Sequence, residues 1–78
     1  MKHWTYTSKN GIEFEVFAHP KVNEESWRVD FHLLGHVAGE TWDEEPTTEA
    51  VEAECEDFAQ VAEDQRRARD SKQPGEPQ

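Results

Sequence analysis

HWTYTSKNGIEFEVFA, residues 3–18, decides how this chain builds its core. Both halves alternate, which places successive side chains on opposite faces of a strand. Lys9-Asn10-Gly11 between them is a hairpin signal. The length of that loop sets which aromatics share a face. A two-residue Asn10-Gly11 loop pairs Trp4 with Phe17 and Tyr6 with Glu15. It leaves Trp4, Tyr6 and Phe17 on the face opposite Ile12, Phe14 and Val16, an exposed aromatic patch of the kind that marks a binding surface. A three-residue Lys9-Asn10-Gly11 loop, with Gly11 left-handed in a bulge, pairs Tyr6 with Phe14 and Trp4 with Val16. All the large residues except Phe17 then share one core. The second register is preferred, because a chain of 78 residues has a thin core and cannot easily spare two aromatics.

The pattern continues outward from this hairpin. His19 to Ser26 is a polar loop containing Pro20. Residues 27–33 (WRVDFHL) alternate again, with Trp27, Val29, Phe31 and Leu33 inward. Gly35 marks a turn, and residues 36–42 (HVAGETW) read as a weaker strand. Asp43 to Pro46 breaks the pattern, and Thr47 or Thr48 supplies a helix N-cap. From Glu49 to about Arg69 the period is helical, with Val51, Cys55, Phe58 and Ala62 in an apolar stripe widened by Ala59. Arg66, Arg67 and Arg69 fall in the last turns, where cations suit the helix dipole. The expected fold is α+β: an antiparallel sheet of three to four strands with one long C-terminal helix on one face. Residues 1–69 form a single domain, and 70–78 (DSKQPGEPQ) read as a disordered polar tail.

Composition narrows the function. The formal charge is -10, from 18 Asp and Glu against 8 Lys and Arg. Mean hydropathy is -1.06. Direct binding to nucleic acid is disfavoured, because phosphate needs clustered cations, and an anionic membrane is disfavoured for the same reason. A basic protein or nucleoprotein complex is the natural complement. One cysteine, Cys55, permits no internal disulfide and no CxxC motif. No signal-peptide core or membrane span is visible, so a cytoplasmic protein is expected.

Chemistry at a catalytic centre has little support. His32 and His36 have i, i+4 spacing but lie on a strand and turn, where four residues span about 13 Å, too far for one metal. His3 and His19 lack a ligand companion. Cys55 sits in the apolar stripe among Glu54, Glu56 and Asp57, which blunts a thiol. A domain this short has no room for a sizeable pocket. We therefore expect no enzyme, no metal and no cofactor.

The acidic helix is the informative feature. Residues 43–64 hold ten Asp and Glu, and no Lys or Arg occurs in the 37 positions between Arg28 and Arg66. Glu49, Glu52, Glu56 and Glu63 form one row, extended past the helix start by Asp43, Glu44 and Glu45. Like charges at these spacings disfavour a helix by a few tenths of a kcal/mol each. A face selected for solubility alone mixes signs. Two readings stand: a solvated face, or a surface for a basic partner. Residues 49–64 span about 24 Å as helix. Duplex DNA of that length carries about 14 phosphates. The seven carboxylates there reach about half that density, enough to imitate one strand.

In size, charge and layout, residues 3–69 resemble the small acidic inhibitors of phages and mobile elements, among them anti-CRISPR proteins and DNA-mimic inhibitors of host nucleic-acid enzymes. Many of those are single domains with a small sheet and one or two helices. They use Asp and Glu to occupy Lys/Arg sites that normally hold DNA or guide-bound target. The resemblance implies a non-enzymatic inhibitor in the host cytoplasm that binds a basic host protein; the Lys/Arg-free acidic stretch nominates Asp43, Glu44, Glu45, Glu49, Glu52, Glu56 and Glu63 as the binding residues. It rests on architecture, and no residue is carried over from it. The alternative is a regulatory or antitoxin-like module that homodimerises through an aromatic sheet face of Trp4, Tyr6 and Phe17.

Overall fold

A computed structural model describes residues 1–22 and 25–71. Four strands, β1 (Lys2–Thr7), β2 (Glu13–Pro20), β3 (Trp27–Leu33) and β4 (His36–Trp42), precede one helix, α1 (Thr48–Ser71). The strands form an antiparallel meander in the order β1-β2-β3-β4. The helix covers one face, so the fold is α+β, as the alternation and the helical stripe required.

The first hairpin takes the three-residue loop. Trp4 pairs with Val16 and Tyr6 with Phe14. Gly11 N donates to Ser8 O at 2.9 Å, Ser8 N donates to Ile12 O at 2.9 Å, and Gly11 has φ 88. That is a type I turn closed by a left-handed bulge residue. The Ser8 hydroxyl is buried but satisfied, accepting from Ile12 N at 2.9 Å and donating to Asn10 Oδ1. The aromatic sheet face that a homodimer would use is therefore corrected: Trp4 and Tyr6 point into the helix-side core and Phe17 alone points out.

Strand and helix ends shift by one or two residues from expectation, β1 starting at Lys2 and β2 at Glu13, and two of the shifts extend an element. β2 runs two residues further, to Pro20, which pairs with Trp27. Lys21 N donates to Ser26 O at 3.0 Å, so the missing donor of Pro20 falls on the β1 side, where pairing has already ended at Ala18. The helix, expected to about Arg69, continues through Ser71. The rest of the expected tail, 72–78, lies outside the described residues.

The second hairpin has a two-residue loop. Leu33 pairs with His36, and Leu34 (φ 50) and Gly35 (φ 77) are both left-handed. This is the geometry of a type I′ turn, which favours Asn or Gly at its first central position. Leu34 occupies that position and is 63% exposed.

The core lies between sheet and helix. Phe14, Val16, Ala18, Val29 and Phe31 from β2 and β3 meet Val51, Cys55 and Ala59 of the helix. Phe31 is its centre, with its ring centroid 5.0 Å from Phe58 and 6.3 Å from Trp42. The edge strands contribute half-buried Trp4, Tyr6, Ala38 and Trp42, and Trp42 pairs with Trp27. Thr47 caps the helix, its Oγ1 accepting from Ala50 N at 3.2 Å and its carbonyl from Val51 N at 2.9 Å.

Candidate functional site

The row of carboxylates on α1 divides in two. Glu56 and Glu63 face the first hairpin and are half-buried. Glu56 Oε2 accepts from the Tyr6 hydroxyl at 2.5 Å and from Lys9 N at 3.0 Å. Glu63 Oε1 accepts from Asn10 Nδ2 at 3.0 Å, while its Oε2 pairs with Arg67 at 2.6 Å. Asn10 Nδ2 also donates to Ala59 O at 3.1 Å, and Trp4 Nε1 donates to Thr48 Oγ1 at 3.1 Å. Together these bonds make a polar seam that ties β1 and its turn to the helix flank from Thr48 to Glu63.

The carboxylates nearer the helix N-terminus are different. Asp43, Glu44, Glu49 and Glu52 are exposed, and none makes a hydrogen bond or ion pair with a described residue. Glu45 reaches Lys2 Nζ at 2.7 Å, with both side chains partly in solvent. Buried Pro46 turns the chain between these groups, so three carboxylates precede the helix and two follow its start. The positive end of the helix dipole holds them there at little cost. Of the seven residues proposed from sequence, five thus form a solvent-facing cluster and two serve the fold.

A further acidic pair was not legible in the sequence. Glu40 stands on the helix side of β4, opposite Val29, and accepts from Trp42 Nε1 at 2.8 Å. Glu54 hydrogen-bonds to Glu40 across the gap. That bond, partial burial and the Glu40 charge push the Glu54 carboxyl up to about 7. An inward carboxylate on an edge strand also discourages pairing with another sheet. Only the facing of β4 could have signalled it, and HVAGETW alternates too weakly to show one.

Cys55 is buried, and burial, followed by Glu52, Glu56 and Glu54, pushes its thiol up to about 12. His32 and His36 fall on opposite faces of the sheet. His3 stacks on Phe17 at 4.7 Å and sits 3.0 Å from Glu15, and His32 meets Phe17 edge-on at 5.2 Å. Among the described residues no group of three His, Cys, Asp or Glu is placed to hold a metal ion. None of the described helices is long and apolar enough to cross a membrane. A shallow trough of about 610 Å³ on the uncovered sheet face is lined by Thr5, Thr7, Glu13, Glu15, His32 and Val37.

No protein-family model, curated protein or solved structure matches this chain.

Proposed function

We propose that the chain is a non-enzymatic binding protein whose acidic end docks on a basic, nucleic-acid-handling host protein. In its most specific form it is an anti-CRISPR type of inhibitor, occupying a groove meant for nucleic acid. The observation that carries this reading is the set Asp43, Glu44, Glu49 and Glu52: four exposed carboxylates with no cation among the described residues to neutralise them. A cluster of one sign raises the local potential and speeds capture of an opposite surface in a salt-dependent way. Glu45 joins the docking surface by releasing its exposed Lys2 contact, which holds it weakly. Glu56 and Glu63 support the surface from within the fold. The imitation is then of a short stretch of one strand, not of a duplex.

The test is capture from host-cell lysate with the immobilised chain, beside an Asp43/Glu44/Glu49/Glu52→Gln variant. A basic nucleic-acid-binding protein should be captured by the wild type alone and released by added duplex DNA or by salt. Its nucleic-acid binding should then be inhibited by stoichiometric chain. Equal capture by the variant, or capture indifferent to DNA, would refute the reading.

A further inference from the structure

The other end of the molecule carries the opposite chemistry. Asn10 lies level with Ala59 and Glu63, so the last eight residues of the helix, about 12 Å, pass beyond the hairpin turns. The helix row that carries Ala62 continues into that overhang as Arg66 and Arg69, both exposed. Beneath it stands the exposed side chain of Leu34. Two concavities, of about 330 and 390 Å³, flank Leu34 and share Ala62 and Arg69 as walls. Ile12 floors one and Phe58 the other. The notch is thus apolar at its base, with Arg66 and Arg69 at its lip and Glu63, held by Asn10 and Arg67, in one wall. Arg66 and Arg69 make no ion pair with a described residue.

Leu34 is the second observation. A bulky side chain in the left-handed region is strained, and such strain gathers at sites of recognition. Glycine or asparagine would relieve it without loss to the core, since Leu34 contributes little there. Position 66 lies about 26 Å along the helix from Glu49. That exceeds two Debye lengths at physiological salt, about 8 Å each, so the carboxylates at the helix start are screened from the notch; of the nearer ones, Glu63 is paired with Arg67 and Asp64 accepts from Gln60.

We infer that this notch docks an acidic, amphipathic peptide segment of a partner protein. One apolar side chain seats beside Leu34 and Ala62, and neighbouring carboxylates meet Arg66 and Arg69. Charge complementarity selects an acidic occupant, and the apolar floor selects a peptide over a phosphate backbone. The site shares Glu63 with the acidic row but none of the exposed carboxylates at the helix start.

The probe is a synthetic six-residue peptide alternating leucine with aspartate, titrated into ¹⁵N-labelled chain. Its controls are a leucine–lysine peptide and a short DNA duplex. The leucine–aspartate peptide should give saturable shifts at Leu34, Gly35, Ala62 and Arg66 and bind more weakly in high salt. Leu34→Gly should fold at least as well and bind about tenfold more weakly, the loss of one apolar anchor. The Arg66→Gln/Arg69→Gln variant should weaken binding similarly. Any of four results overturns the proposal: no saturation at about millimolar peptide, equal binding of the lysine peptide, unchanged affinity in Leu34→Gly, or occupation of the notch by DNA instead.

Discussion

The Tyr6 hydroxyl donates to a Glu56 carboxylate oxygen at 2.5 Å, across fifty positions of sequence, and joins the first strand to the middle of the helix. This bond holds the phenol protonated. With lesser contributions from burial and from the Glu56 and Glu52 charges, it pushes Tyr6 up to about 12. Tyr6 is the one tyrosine of the chain, so its ionisation is read directly by absorbance.

The wild-type phenol should therefore titrate near 12, and in Glu56→Gln nearer the ordinary value of about 10. The folded value is the higher one, so the stabilisation is complete below about pH 10 and fades as pH rises toward 12. Ultraviolet titration of both proteins measures the difference. Coincident curves would show that the seam does not hold the phenol.

Glu54 gives a second pH dependence, nearer neutrality. Its carboxyl takes up a proton in the folded state near pH 7 and, unfolded, near 4.5. The contribution is thus full below about pH 4.5 and is lost as pH rises through 7. The melting temperature of the wild type should fall between pH 5 and 8 more steeply than that of Glu54→Gln. Parallel profiles in thermal melts would separate Glu54 from Glu40.

Charge removal should distinguish the two halves of the acidic row. Glu49 and Glu52 make no hydrogen bond or ion pair with a described residue, and their change to Gln relieves like-charge repulsion, so stability should stay within about 0.5 kcal/mol or rise slightly. Glu63→Ala removes an acceptor of Asn10 and the Arg67 pair, and should destabilise by about 0.5–1.5 kcal/mol. Urea denaturation decides; an equal response at all three positions would place Glu63 in solvent with the others.

Leu34→Gly should stabilise the fold by up to about 1 kcal/mol, since the left-handed penalty of about 1–2 kcal/mol exceeds the added unfolded-state entropy of glycine. Leu34→Val, β-branched at the same φ of 50, should destabilise it. The same urea titrations apply.

Phe31 is fully buried between Trp42 and Phe58. Phe31→Ala should lose about 3–5 kcal/mol, a large share of the stability of a domain this size. Loss of dispersion in the amide spectrum at room temperature is the expected sign, while Phe31→Leu should keep the fold.

Local order was legible because it repeats. The alternation of IEFEVFA and WRVDFHL and the Val51, Cys55, Phe58 stripe placed β2, β3 and the helix, and β3 and β4 begin and end where the sequence puts them. The choice between two hairpin registers followed from a shortage of apolar residues: a thin core recruits Trp4 and Tyr6. Asp43, Glu44, Glu49 and Glu52 were legible as a group because neighbours in sequence stay neighbours at a helix start. Other features escaped because no periodicity encodes them. Pro20 stays in the sheet because its empty donor side faces no strand, and Leu34 is left-handed because a two-residue loop demands it.

By itself, then, the sequence determined the strands, the helix and its acidic character, since each depends on residues within a few positions of one another. Tertiary structure alone decided what each carboxylate does. Glu56 and Glu63 share a helix flank with Glu49 and Glu52, yet the first hairpin folds its Tyr6, Lys9 and Asn10 donors onto only the first two. Glu54 meets Glu40 only because β4 returns beside the helix. A carboxylate in water is a charge; the same group beside a donor brought from fifty residues away is part of the fold.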